Sequence, residues 1–241
     1  MEWQDEGIIL SVRRHGESSV ILDVLTCHHG RHAGLVRGGR SRRQRSALQP
    51  GNSVAVNWRA RLEDHLGNYT AELTRPRAAT IMGDAAALAG LSSLCTLLSL
   101  LAERQSCPEI HAASSVVLDL MSEQGPWPGP MARWELGLLS ELGFGLDLER
   151  CAATGRKDEL IYVSPKSATA VSAEAGRPYA DKLLGLPGFF LDGRISAPSR
   201  EDILQGFALT GFFLERHVMG PRGLKMPDAR RRMIEKLMRI G

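Results

Sequence analysis

The sequence predicts an α+β chain in two parts, a small β-barrel followed by an all-α domain, and two observations carry this. Up to about Ala78, short β-rich runs alternate with Gly- and Pro-centred turns. From Asp84 onward, the apolar residues recur with helical period. The boundary is expected near residue 80, giving a barrel over residues 1–80 and a helical domain over residues 81–241.

Five strands are expected: Gly7 to Val12, Ser19 to Thr26, His32 to Arg37, Ser53 to Arg61 and Tyr69 to Thr74. His15-Gly16, His29-Gly30, Gly38-Gly39, Pro50-Gly51 and Leu66-Gly67 supply the turns. Beyond them, Asp84 is placed to cap a helix bearing Leu88, Leu91, Cys95, Leu98 and Leu101 on one stripe. Ala85 to Ala102 carries no charge, but Ala, Gly, Ser and Thr dilute it, and it reads as a buried helix rather than a membrane segment. A second helix runs through Ile110, Val117 and Met121, and a third from Met131 to about Leu142, stopped by Gly143 and Gly145. Residues 147–176 lose the period and read as an irregular insert or small hairpin. Ser199 with Asp202 has the spacing of a capping box, and Asp228 opens a last helix.

A chain of 241 residues can bury a core without disulfides. Cys27, Cys95, Cys107 and Cys151 show no paired spacing, which fits a reducing compartment. Glu2, Asp5 and Glu6 leave no basic leader, so a cytoplasmic protein is expected.

Charge is distributed unevenly. Through residue 80 every basic residue is arginine, and these outnumber the acids 12 to 8, while the remainder is near balance. Arg37, Arg40, Arg42, Arg43 and Arg45 crowd around Gly38-Gly39 just after a strand, and read as a flexible phosphate-binding loop. Guanidinium takes phosphate bidentately, and an extended polyanion rewards several such contacts by releasing counterions. Arg13 and Arg14, past the first strand, join this set. Gly34, Gly39, Arg40 and Ser41 have P-loop spacing, but Arg stands where that loop needs Lys and no apolar helix follows. Trp58 is either a base-stacking face or part of the barrel core. The last helix sets Met233 and Leu237 against Arg230 and Arg231, and with the preceding Lys225 forms either a core-packing helix with a solvated face or a second basic contact. Cys27, His28, His29 and His32 match no closed zinc spacing, and no metal or other cofactor is expected. No hydrolase elbow, metalloprotease helix or dinucleotide fingerprint points to an enzyme.

Gly7-Ile8-Ile9-Leu10, Gly16-Glu17-Ser18, Gly30-Arg31 and Arg37-Gly38-Gly39-Arg40-Ser41, taken in order, resemble the N-terminal OB-fold of the RecO family of recombination mediators. Arg133-Trp134-Glu135-Leu136, Leu138-Leu139 and Leu142-Gly143-Phe144-Gly145 resemble its central helix, and Gly223-Leu224-Lys225 its C-terminal turn. The resemblance implies an OB-fold barrel, a helical domain and a small zinc-ribbon-like insert. It implies binding of single- and double-stranded DNA, annealing of complementary strands, and loading of RecA onto DNA coated by single-strand-binding protein (SSB) together with RecR. These are roles in DNA repair and recombination near the nucleoid. It also implies an SSB C-terminal-tail site with Arg133 as the cation and Leu136 and Leu139 as lining. Of the family's four cysteines this chain keeps Cys151, with Thr154, Ser172 and Ala175 at the other places, so the insert is expected to be a metal-free remnant. An RNA-binding OB protein and a partner-binding scaffold without a direct DNA role are the other readings the residues allow.

Overall fold

The computed structural model describes residues 1–191 and 198–239. In chain order its elements are β1 (Glu2–His15), β2 (Ser19–Thr26), β3 (Arg31–Val36), α1 (Arg42–Ala47), β4 (Ser53–Arg59), β5 (Asn68–Arg75), α2 (Ala78–Ile81), α3 (Ala85–Leu98), α4 (Pro108–Ser122), α5 (Pro128–Glu141), β6 (Leu160–Val163), β7 (Ala170–Ser172), α6 (Ala173–Gly176), β8 (Leu184–Gly185), α7 (Arg200–Phe213) and α8 (Asp228–Arg239). They form two compact units, one of residues 1–125 with the chain from Pro227, the other Pro126–Met226.

In the first unit the strands close a barrel in the order β1-β2-β3-β5-β4. Alternation sends Val20, Leu22, Val24, Val54, Val56 and Trp58 inward, where the apolar effect favours them. β1 is longer than its apolar run because Glu2 to Glu6 pair with β4, while Gly7 to His15 pair with β2. β3 and β5 are parallel and meet through Leu35 and Asn68.

The helices after the barrel are fastened to it. Arg77, 3% exposed, donates to Asp119 of α4 at 2.6 Å and to Ser53 of β4 at 2.7 Å. The Cys95 thiol of α3 faces the Ile9 carbonyl, and Arg31 reaches the Ser99 carbonyl and Glu103. α8 packs along α3, burying Met233 and Leu237. These contacts explain why the compact units part after Gly125 and not at residue 80. Asp84 caps α3 as the sequence suggests, accepting from the Ala86 and Ala87 amides. Among the described residues no helix is long and apolar enough to cross a membrane.

The second unit pairs α5 with α7. The Ser199–Asp202 capping box is present, and buried Glu135 accepts from the Thr210 hydroxyl at 2.5 Å. Between these helices the insert is more ordered than its sequence suggests, with β6 at the centre of a sheet ordered β7-β6-β8.

The cluster of His28, His29 and His32 at the β2–β3 turn has other work than metal binding. The Asp5 carboxylate, its side chain 2% exposed, accepts from the His28 amide at 2.8 Å and the His29 amide at 3.2 Å, and lies 3.1 and 2.9 Å from their Nδ1 atoms. Burial alone would raise its pKa, but these hydrogen bonds outweigh it and hold the carboxyl at about 2. His32 is 3% exposed, its ring 3.1 Å from the Tyr69 hydroxyl. Burial, reinforced by the Arg104 charge, lowers its pKa from 6.5 to about 4.

A depressed histidine pKa means that the unfolded chain takes up a proton the barrel refuses between those values. Stability therefore falls as pH drops through this window, by about 3 kcal/mol for His32. His32→Gln keeps a polar partner for Tyr69 and removes the titration, so urea unfolding compared near pH 7 and near pH 4 should show a smaller loss in the variant. An equal loss in both proteins would remove His32 from the account.

Candidate nucleic-acid interface

Strand register gathers the basic residues at one end of the barrel. Arg13 lies beside Ile21, which pairs with Leu35, and Arg14 beside Val20, which pairs with Val36. The end of β1, the start of β2 and the end of β3 are thus neighbours, and Arg37 follows directly. The chain then turns left-handed at Gly38, with φ of 67°. Gly39 presses onto the barrel so closely that an added Cβ would come within 2.5 Å of Val20. Ser41 caps α1 by accepting from the Gln44 amide, and Leu48 beyond the helix joins the barrel core. Arg42, Arg43 and Arg45 therefore project from a short capped helix, which corrects the expectation of a flexible loop. Ser41 was the available signal, but six residues without an apolar stripe give no period to read.

These arginines of the barrel fall into three kinds. Arg31, Arg59, Arg75 and Arg77 lie within ion-pair distance of carboxylates, on Glu103, Glu2, Asp119 and Asp119 respectively. Arg40 is used locally, donating to the Gly16 and Glu17 carbonyls and tying α1's approach to the β1–β2 turn. Arg13, Arg14, Arg37, Arg42, Arg43 and Arg45 are exposed, and among the described residues none lies within ion-pair distance of a carboxylate, although Arg13 is near enough to Asp23 to interact with its charge. Arg14, Arg40 and Arg45 line a cavity of about 320 Å³ with Gly39 and Leu48. Unneutralised guanidinium groups this close together sum their fields over a Debye length of about 8–10 Å, an arrangement suited to a multivalent anion.

Other expected residues lie elsewhere. Trp58 is 1% exposed and its indole N–H donates to the Leu66 carbonyl at 3.0 Å, so it is barrel core and offers no face to a base. Arg230 is buried at 6% exposure, while Arg231 is exposed and pairs with Asp228 and Glu235. Lys225 is exposed in the second unit. Leu139 is fully buried and cannot line a surface pocket. The half-buried Arg133 donates to the Phe189 carbonyl and lies over that residue's ring, and Leu136 is half-buried.

The residues at the positions where the resemblance implies a zinc module do not fit a zinc ion. Cys151 is the one thiol, and its sulfur accepts from the Ser172 amide at 3.3 Å and the Ser172 hydroxyl at 3.4 Å. Burial would raise this thiol, but hydrogen bonds led by Ser172 and Thr154 bring it down to about 6. Hydroxyls that donate to a thiolate stand where a structural site requires further thiolates or imidazoles.

A five-stranded barrel of this strand order, with a helix between β3 and β4 and a basic end, defines the class: an OB-fold protein carrying a helical extension. Comparison with known proteins narrows it. Residues 1–77 match the family model for the recombination protein O N-terminal region, and residues 82–225 match that for its C-terminal region. A "DNA repair protein RecO" of Beijerinckia indica is 53% identical over 95% of this chain and 92% of its own length. Another, of Rhodopseudomonas palustris, is 52% identical over 99% of this chain and 97% of its own. The chain belongs to the RecO family of DNA repair and recombination proteins.

Two measurements check the insert. Cys151→Ala leaves the Ser172 donors without their acceptor and should lower unfolding stability by about 1–2 kcal/mol. A chelator or added zinc should leave the wild-type melting temperature where it was, and a zinc-dependent rise would contradict this description of the Cys151 site.

Proposed function

We propose that this protein acts as a non-enzymatic recombination mediator. Its barrel binds single- and double-stranded DNA, and it anneals complementary strands. With RecR it helps RecA load onto DNA covered by SSB, working in the cytoplasm in association with the nucleoid. The observation that carries the DNA contact is the set of arginines at one end of the barrel that no carboxylate pairs, whereas Arg31, Arg59, Arg75 and Arg77 are each held by one.

The chemistry follows from charge. Two complementary strands repel through their phosphates, and a surface that replaces condensed counterions with fixed guanidinium groups lowers that repulsion while leaving the base edges free to pair. Arg13 and Arg14 from the end of β1, Arg37 from the turn just after β3, and Arg42, Arg43 and Arg45 from α1 supply such a surface. Lys225 and Arg231 are secondary contacts in this proposal.

The partnership with RecR and with the SSB tail comes from the family. For the tail, Arg133 is already engaged by Phe189 and Leu139 is inside the core, so Leu136 is the accessible remnant of the expected set.

Binding to a single strand measured over a salt series tests the DNA site. Each phosphate contact contributes a log–log slope of roughly −0.7, so Arg42→Ala, Arg43→Ala and Arg45→Ala combined should flatten the slope by about two units. A slope unchanged in the triple variant would place the contact elsewhere. Annealing of complementary strands, with and without SSB and without ATP, should proceed with wild type and slow markedly with the triple variant.

A further inference from the structure

β3 and β5 meet at Leu35 and Asn68, and β3 then turns away through Arg37 into α1. In parallel register the next residues of β5, Tyr69 to Ala71, would face Val36 to Gly38, but no such pairs form among the described residues. The strands splay, and the wedge between them is a cleft of about 570 Å³ whose lining includes Arg37, Gln44, Asn57, Arg59, Asn68 and Thr70. That size lies within the roughly 300–1,000 Å³ typical of small-ligand clefts.

The chemistry of the cleft is mixed donor and acceptor. Arg59 is neutralised by Glu2 at 2.7 Å, and Glu2 also accepts from Asn57 at 3.2 Å, so these three hold one another. The side-chain amides of Gln44 and Asn68 have no hydrogen-bond partner among the described residues. The β5 edge facing the wedge adds main-chain N–H and C=O groups that no strand satisfies. A carboxamide presents an acceptor oxygen and an NH2 donor in one plane, and a strand edge presents N–H donors beside C=O acceptors, so both can complement a nucleobase edge. Arg37 stands at the rim, next in sequence to the turn that leads to α1.

We propose that this cleft receives an unpaired nucleobase from a single strand whose phosphates lie on Arg37 and α1, with Gln44, Asn68 and the β5 edge hydrogen-bonding the base. The proposal rests on the reading that the basic end binds nucleic acid, and adds that the protein holds a base as well as the backbone. A polar cleft with one unneutralised cation fits a nucleotide unit better than an apolar peptide.

The test uses the full chain and two probes of equal length, an oligothymidylate and an abasic deoxyribose-phosphate chain. Wild type should bind the base-bearing probe roughly fivefold more tightly, the effect of one or two net hydrogen bonds. Gln44→Ala with Asn68→Ala should lower that ratio while leaving the salt slope unchanged. Arg42→Ala with Arg43→Ala should weaken both probes alike and preserve the ratio. A wild-type ratio of one, or a ratio unmoved by the Gln44 and Asn68 changes, overturns the base cleft while leaving the phosphate site standing. Failure of wild type to bind either probe overturns both.

Discussion

Closing a five-stranded barrel requires its third and fifth strands to meet, and here they meet through one residue pair, Leu35 with Asn68. The surface chemistry at that end depends on this brief contact. Because β3 leaves the sheet immediately, the chain must turn sharply, and Gly38 and Gly39 permit it, the first by its left-handed backbone and the second by having no side chain between the turn and Val20. The departing segment then closes the barrel's end with Leu48 and carries its arginines outward on α1. A longer β3–β5 ladder would fill the wedge that is now a cleft.

The same barrel shows how one residue type serves two purposes. Arg77 is buried between Asp119 and Ser53, where a guanidinium must be paired because an isolated buried charge is strongly unfavourable. Arg31 and Arg75 likewise fasten the helices to the barrel, through Glu103 and Asp119. At the other extreme, the exposed arginines of β1, of α1 and of the turn after β3 lie within ion-pair distance of no carboxylate among the described residues. An anion that binds there displaces ions and breaks no intramolecular pair. The aromatic residues do not compete for this role: Trp58 and Tyr69 are drawn into the interior, where Tyr69 lies against Gly34 and contacts His32.

Much of this was legible in the sequence, and the reasons for the exceptions are physical. The strands were readable because alternation and glycine turns are local signals, and the capping residues Asp84 and Ser199 announced their helices. The basic end was legible as a count of arginines around Gly38-Gly39. Which arginines are neutralised was not, because the partners are distant in sequence: Glu2 for Arg59, Asp119 for Arg77. The same limit left Trp58 and the last helix open between core and contact, and hid the burial of Arg230 and Leu139, since which face of an element is covered depends on what packs there. Gln44 and Asn68 gave no signal at all. Two unremarkable amides become neighbours through the splay of β3 from β5.

Two turns, one beside His28 and His29 and one beside Cys151, illustrate a further point. At the β2–β3 turn, Asp5 is an anion that gathers the amides and rings of His28 and His29, and in the insert the Cys151 sulfur gathers donors from Ser172. In each case a buried anionic or thiolate centre organises a turn by accepting several hydrogen bonds. Its pKa is depressed for that reason, to about 2 for Asp5 and about 6 for Cys151. A zinc ion organises a turn with the charges reversed, a cation collecting lone pairs. In the insert the Ser172 hydroxyl donates its proton to the Cys151 sulfur, so the centre of this turn is an acceptor rather than a cation. The insert therefore holds its turn through one cysteine sulfur and the donors around it.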